Sequence, residues 1–268
     1  MISLQEFLAL PTPPVEPPKI DDKTLFHVGV SGGKDSAAVL LWMIHESGIA
    51  REKIVASFCD ISNDHPWTLQ HVALLSKTVH PIETIYPQAS FFELALEKKR
   101  FPSTKARFCT EHLKIYPTAD HIQALKFSGW KVIAVSGVRA DESADRAKLS
   151  EWDYSGNLFC YEWRPLIRWT LNDVLAIHAK HNVPLNPLYA LGAQRVGCWP
   201  CIMSRKAEIR IIALKFPERI SEIRAAEQRF ETEVWPLLFI FSGNFYTRTV
   251  QVKAIRLRRW TENERGHD

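Results

Sequence analysis

The segment from Thr24 to Ser47 constrains the fold more than any other part of the chain. A β-branched and aromatic run, Thr24 to Val30, leads into Ser31-Gly32-Gly33-Lys34-Asp35-Ser36, and a helical pattern follows from about Asp35 to Ser47, stopped by Gly48. Glycines at a strand-to-helix turn let the backbone bend sharply and bring amide N–H groups close to a bound anion. The helix N-terminus adds partial positive charge and Lys34 a full one. A Walker loop is excluded, because it needs Gly where Val28 stands and Ser or Thr where Asp35 stands. No G-x-G-x-x-G occurs either. A turn that merely joins strand to helix is the alternative, and the strand-loop-helix context argues against it.

From Lys23 onward, short strand patterns alternate with longer helical ones. Thr24 to Val30, Ile54 to Phe58, Ile82 to Tyr86 and Val132 to Ser136 read as strands. That alternation predicts βαβ units, hence an α/β fold with a doubly wound, mostly parallel sheet. A further helix is expected from Thr170, with Asp173 as capping-box partner and Leu171, Val174 and Leu175 on one side. Three regions follow. The expected regions are residues 1–22, an N-terminal arm with five prolines between Pro11 and Pro18, 23–205, the α/β domain that carries the Ser31 to Ser36 loop, and 206–268, a mainly helical, basic extension. In the last, Phe216, Ile220, Ile223 and Phe230 make one stripe, with Pro217 near a helix start.

In parallel sheets, ligands bind outside the carboxyl ends of the strands. Asp60 opens a polar cluster after the second strand, suited to adenosine or Mg²⁺, although Asp and Asn are also ordinary turn residues. Gly137 to Arg146 follows the fourth strand, and its Arg139 and Arg146 suit bidentate phosphate or sulfate contacts. A solvated charged loop is the alternative there. Arg107 and Lys114 flank Cys109 and add cations that could line the same cleft.

The five cysteines are too few and too unevenly spaced for a disulfide scaffold. Cys198 and Cys201 form a C-x-x-C pair, enough for a redox dithiol but half of a tetrahedral metal site. Cys109 is the third candidate ligand and Cys160 the fourth, a set that suits a [4Fe–4S] cluster or Zn²⁺. Against Cys160 stands its place in the strand-like run Leu158 to Trp163, where a buried thiol acts as a small hydrophobe. His112 is an alternative ligand, and Cys59 reads as structural.

With these motifs placed, residues Thr24 to Arg205 resemble the phosphoadenosine phosphosulfate reductase family of PP-loop adenine-nucleotide enzymes. The resemblance rests on Ser31 to Ser36, on Gly137 to Arg146, on Trp163 to Thr170, and on Val183 to Tyr189 followed by Gly192 to Cys201. It implies an adenine nucleotide as ligand, a PP-loop fold and, in one branch, a [4Fe–4S] cluster. Two departures point away from reduction of a sulfonucleotide. That mechanism uses a nucleophilic cysteine on a C-terminal tail, whereas the 67 residues after Cys201 contain none. Cys109 also stands alone where the adenosine phosphosulfate branch has adjacent cysteines. Lys34-Asp35 is instead the form typical of relatives that cleave ATP to AMP and pyrophosphate, including sulfurtransferases.

The expectation is therefore an enzyme that binds ATP with Mg²⁺ and activates a substrate with release of pyrophosphate, in sulfur transfer with a cysteine-bound cluster. The amides of Gly32, Gly33 and Ser36 with Lys34 would stabilise the leaving pyrophosphate, Asp35 would help hold Mg²⁺, and Arg139 and Arg146 would fix the far end of the ligand. A sulfonucleotide reductase using an external thiol protein is the first alternative. A non-catalytic nucleotide-binding accessory of a nucleic-acid system is the second. Its support is the basic-aromatic stretch Arg248, Lys253, Arg256, Arg258 and Arg259 with Tyr246 and Trp260, although a solvated edge strand or protein interface is the commoner meaning of such a stretch. The net charge of +4 permits an anionic partner without demanding one. The longest apolar run, Val234 to Phe241, contains Pro236 and is far below the ~18 residues of a membrane span. With no signal-like N-terminus, the expected location is the cytoplasm and the expected partners are an adenine nucleotide, a sulfur donor or thiol protein and, as an option, a second copy in a homodimer.

Overall fold

A computed structural model describes residues 17–233. The predicted basic stretch at Arg248 to Arg259 and most of the N-terminal arm lie outside the described residues. Within them a six-stranded sheet has the order β3-β2-β1-β4-β6-β5. The strands are β1 (Thr24–Gly29), β2 (Ile54–Cys59), β3 (Ile82–Ile85), β4 (Lys131–Val135), β5 (Trp152–Ser155) and β6 (Cys160–Trp163). All neighbours run parallel except β5, which pairs antiparallel with β6. The doubly wound, mostly parallel architecture expected from the alternation is what the chain adopts. Four strands fall where the apolar runs place them, and β5 was not anticipated. Its Trp-Asp-Tyr-Ser sequence alternates aromatic and polar residues over only four positions, and it is held by a hairpin in which Trp152 stacks on Trp163 with ring centroids 5.1 Å apart.

Alternation along the strands sorts the core into two faces. Phe26 and Val28 of β1 and Ile133 and Val135 of β4 pack against α1 (Lys34–His45), α2 (Pro66–Thr78) and α5 (Leu171–Lys180). On the other face Val132 and Ala134 meet Ile122 of α4 (Tyr116–Phe127). The helix α1 buries seven residues, Ala37 to Leu41 with Met43 and Ile44, which fixes the direction in which its N-terminus points. The short α3 (Phe91–Glu97) starts with a Ser90–Glu93 capping box.

The capping box at Thr170 forms as expected: the Asp173 carboxylate accepts the Thr170 N–H at 2.7 Å. The buried side of α5 differs from the expectation. Leu171 and Leu175 are exposed, while Val174, Ile177 and His178 face inward. Two leucines at i and i+4 mimic an apolar stripe, and the helix turns instead about the seat of His178 beside the phosphate loop. After Arg205 come α6 (Lys206–Lys215) and α7 (Pro217–Glu233), and Phe230 of α7 packs against Phe101 with tilted rings whose centroids are 5.1 Å apart. Among the described residues no helix is long and apolar enough to cross a membrane.

Candidate functional site

The phosphate loop leaves β1 at its carboxyl end, where the sheet order reverses between β1 and β4. Gly32 has φ +71°, and a Cβ there would stand 2.6 Å from the Thr68 methyl, so both conformation and space require glycine. Its carbonyl accepts a hydrogen bond from Asn186 Nδ2 at 3.1 Å. Ser36 closes the loop on itself, donating to the Gly33 carbonyl at 2.9 Å and accepting the Ser31 N–H at 3.0 Å. Gly33 is the N-cap of α1 and offers no side-chain acceptor. The first amides of the helix are therefore available to a ligand. One is engaged from a distance: Lys34 N–H donates to the Tyr189 hydroxyl at 3.0 Å. Burial pushes the Tyr189 phenol up to about 12, so it stays a neutral hydroxyl in the physiological range. His178 Nε2 lies 2.9 Å from the Lys34 carbonyl.

Asp35 organises the charge. Its carboxylate takes Lys34 Nζ at 2.8 Å on one oxygen and Arg139 Nε at 2.6 Å on the other. Burial works to raise its pKa, and the hydrogen bonds from Lys34 and Arg139 outweigh this and hold it below the usual carboxylate range. Arg139 is buried, and its Nη1 also donates to Asp141 and to the Trp169 carbonyl, both at 3.2 Å. The guanidinium braces Asp35 from behind. Gly137 brings the two loops into backbone contact, for a Cβ there would overlap the Asp35 carbonyl.

These elements enclose an open cleft of about 250 Å³, bordered by the phosphate loop, by Gly137 and Val138, by Glu142 and Arg146, and by Tyr189, Arg195 and Val196. The cleft brings together Ser31, Gly33, Lys34, Asp35, Ser36, Gly137 and Arg146 from the predicted set. Arg146 is ion-paired with Glu142. Asp60 lies apart from the cleft lining and accepts the Ser62 N–H at 2.9 Å in a local turn. Arg107 is bonded to Thr110 at 3.3 Å, on the side of the cysteines. Lys114 lies outside the cleft lining: its half-buried ammonium faces Cys198, Asp64 and Cys201. Burial opposes its charge, but the thiols and Asp64 raise its pKa all the same. Sequence reasoning missed Tyr189, Asn186, His178 and Arg195 as members of this site. The only local signal was Asn186-Pro187-Leu188-Tyr189, a short helical turn capped by Asn186 accepting the Leu188 N–H at 3.0 Å.

Three of the four predicted metal ligands share one neighbourhood. Cys109 and Cys198 pack with Ile61, Leu94 and Leu113, and the Cys198 and Cys201 thiols hydrogen-bond each other. That hydrogen bond lowers Cys201 and raises Cys198, so the pair holds one proton most readily at Cys198. Cys160 does not join them. It opens β6, buried with Ile122, Val132 and Ala134 at the opposite end of the sheet from the strand termini that bear the loops. Among the described residues no three His, Cys, Asp or Glu side chains converge on a single metal ion. Three thiols beside a half-buried ammonium do have the donor chemistry for an anionic iron–sulfur group. The C-x-x-C loop is tied to the rest of the site at both ends. Cys198 forms an antiparallel bridge with Asp64, Trp199 N–H donates to the Asn63 carbonyl at 2.7 Å, and Arg219 of α7 donates to the Trp199 carbonyl at 2.8 Å.

A doubly wound parallel sheet whose first strand feeds a Ser-Gly-Gly-Lys-Asp-Ser loop at the reversal point defines the PP-loop class of α/β proteins. Comparison narrows it further: the phosphoadenosine phosphosulfate reductase domain profile matches residues 26–204, and the chain belongs to that family. An uncharacterized 37.8 kDa protein in the gpa 5′ region of Escherichia phage 186 is 30% identical over 256 residues, covering 77% of this chain and 75% of the relative. The adenosine 5′-phosphosulfate reductase of Anoxybacillus flavithermus is 28% identical over 148 residues, covering 54% of this chain and 60% of the relative. A third relative, uncharacterized protein MJ0973 of Methanocaldococcus jannaschii, is 26% identical over 75% of this chain, which spans 47% of its length. Among solved structures the phosphoadenylyl-sulfate reductase of Candida auris shares the fold, with a TM-score of 0.50 at 19% identity over 65% of this chain and 81% of that one.

Proposed function

We propose that the protein binds ATP with Mg²⁺ in the cleft between the phosphate loop and the Gly137 loop, and activates a second substrate by adenylation in the course of sulfur transfer. An oxygen of the acceptor bonds to the α-phosphorus while the bond from that phosphorus to pyrophosphate breaks, and the pyrophosphate leaves with its electron pair. The observation that carries the reading is the Lys34–Asp35–Arg139 ion-pair chain under an uncapped helix N-terminus. It fixes a cation and several free amides where negative charge would grow on the leaving group, with no reorganisation needed at that moment. Gly32, Gly33 and Ser36 would supply those amides. Asp35 and Glu142 are the carboxylates that line the cleft, and they would help hold a phosphate-bound Mg²⁺. Arg146 would meet the far end of the nucleotide, and Arg139 acts through Asp35.

Cys109, Cys198 and Cys201 would hold a [4Fe–4S] cluster, with Lys114 offsetting part of its negative charge. When bound, such a cluster supplies a site for sulfur or electron chemistry. The protein itself contributes the walls, the half-buried ammonium and the clamp on Trp199.

The test is anaerobic incubation of the purified protein with Mg²⁺, ATP and candidate acceptors, with AMP and pyrophosphate measured. Formation of both in a one-to-one ratio is expected. No AMP with any acceptor, together with sulfite release from adenosine phosphosulfate and an added thiol, would replace this reading by sulfonucleotide reduction, which the alignment to adenosine 5′-phosphosulfate reductases favours. Iron and sulfide analysis with a visible spectrum tests the cluster, and Cys160→Ala should leave both unchanged.

A further inference from the structure

The cations around the cleft are not equivalent. Lys34 is bound to Asp35 at 2.8 Å, Arg139 to Asp35 and Asp141, and Arg146 to Glu142. Arg195 also lines the cleft, yet it makes no hydrogen bond or ion pair with any described residue. The lining carries Lys34, Arg146 and Arg195 against Asp35 and Glu142, three positive charges to two negative. The excess charge is that of Arg195. An unpaired guanidinium keeps five donors in a planar fork suited to the oxygens of a phosphate or sulfate.

Its position gives the charge a direction. Arg195 borders a second, smaller cavity as well, shared with Gly197, Cys198 and Trp199. It therefore stands where the phosphate cleft meets the cysteine loop, three residues before Cys198. Tyr189 and Val196 flank it on the cleft wall, and Tyr189 already touches the first amide of α1. A nucleotide whose leaving group runs from the α-phosphate across those amides would extend its outermost charged group toward Arg195.

Resting on the nucleotide reading above, we infer that Arg195 is the receptor for the terminal oxyanion of the bound adenine nucleotide, the group beyond the α-phosphate. That group is the outer phosphate of ATP or the sulfate of an adenylyl sulfate, which share the same tetrahedral oxyanion chemistry. Arg195 thereby sets the preference for an activated nucleotide over AMP. The role differs from those of Arg139, which is consumed internally, and Lys34, whose charge is shared with Asp35.

Binding of ATP, adenosine phosphosulfate and AMP to the full chain and its variants, measured by titration calorimetry at constant ionic strength, tests the assignment. Arg195→Ala should weaken ATP, adenosine phosphosulfate or both by roughly ten- to hundredfold, the range of one charge-assisted contact. AMP binding should stay within about twofold, which also shows that the variant is folded. Arg195→Lys should fall between the two because it keeps the charge and loses the fork. Selective loss of ATP identifies the outer phosphate, and selective loss of adenosine phosphosulfate identifies the sulfate. A ratio of ATP and adenosine phosphosulfate affinity to AMP affinity that is unchanged in Arg195→Ala overturns the inference and leaves the proposed function standing. A wild-type protein that binds none of the three overturns both.

Discussion

Replacing Gly137 by alanine puts the contact between the two loops to a direct test. The glycine does not have a left-handed φ, so a side chain is excluded by space and not by backbone conformation. An added Cβ would sit 2.8 Å from the Asp35 carbonyl carbon and 3.2 Å from the Ser36 nitrogen, and closer still to the Asp35 oxygen. All three are backbone atoms of the helix start, and α1 is anchored by seven buried side chains, so the Gly137 loop must give way. Relief needs a shift of about 1 Å, and overpacking of this kind costs about 1–3 kcal/mol. For a chain of this size that lowers the melting temperature by about 3–10 °C. The consequence for the cleft is larger, because a misplacement of about 1 Å at a reacting centre can cost on the order of a hundredfold. Gly156, in the β5–β6 hairpin, is the control: a Cβ there meets nothing within 4 Å and its φ is not left-handed. Gly156→Ala should be neutral, or stabilising by about 0.4–1 kcal/mol through the unfolded chain. Thermal melts and nucleotide titration of both variants decide. Wild-type melting and wild-type affinity in Gly137→Ala would refute the claim that the cleft depends on this backbone approach.

Asp35→Asn should destabilise by about 3 kcal/mol, measured by urea unfolding, because Arg139 is buried and loses its main anionic partner. Since the folded pKa of Asp35 is lowered, its contribution is present above the ordinary carboxylate pKa and lost as pH falls through the folded value, so the variant should have a flatter acid limb. His27, buried between Ser57 and His121, has its pKa lowered to about 3, first by burial and then by His121. It folds neutral and takes up a proton when unfolded below its ordinary value of 6.5, so stability should fall by about 2 kcal/mol between pH 6.5 and 5. His27→Gln should abolish that part of the slope. Arg219→Met should cost about 1–3 kcal/mol, since it strips the donor from the Trp199 carbonyl and from Asn63. It should also speed alkylation of Cys198 and Cys201, and an unchanged thiol reactivity would show that α7 does not hold that loop.

What could be read from the residues and what could not divides by distance along the chain. The phosphate loop was legible because strand, glycines, lysine and helix lie within one run, and their spacing alone determines which groups point at an anion. The alternation of apolar runs sufficed for the parallel sheet in the same way. Cys160 reads as either ligand or buried hydrophobe, and strand direction decides for the second: it opens β6, and sites in such sheets form where strands close. Lys114 was grouped with the phosphate ligands because it is basic and near Cys109. Its orientation depends on a π-helical turn, Glu111–Ile115, that no residue pattern announces. Tyr189, His178 and Asn186 reach the loop from more than 140 residues away, and nothing in their local sequence indicates which backbone group they will meet.

The stretch from Asn186 to Cys201 joins the two halves of the site. Asn186 holds the Gly32 carbonyl, Tyr189 meets the Lys34 amide, Arg195 and Val196 wall the cleft, and Cys198 turns into the thiol group with Lys114 behind it. A ligand that displaces the Tyr189 hydroxyl from the Lys34 amide would act on the same short segment that carries Cys198. That segment is pinned further along by Asn63 and Arg219 at Trp199, so displacement at Tyr189 has little slack to absorb it before Cys198. Nucleotide binding should therefore change the reactivity of Cys198 and Cys201 with an alkylating reagent, whereas Cys160, in the opposite end of the sheet, should react at the same rate with and without ATP. Tyr189→Phe keeps the ring and removes the acceptor, and it should shrink the nucleotide effect on Cys198 and Cys201 without altering Cys160. Equal effects of ATP on all three cysteines would mean that the response is a global stabilisation and not one carried by this segment.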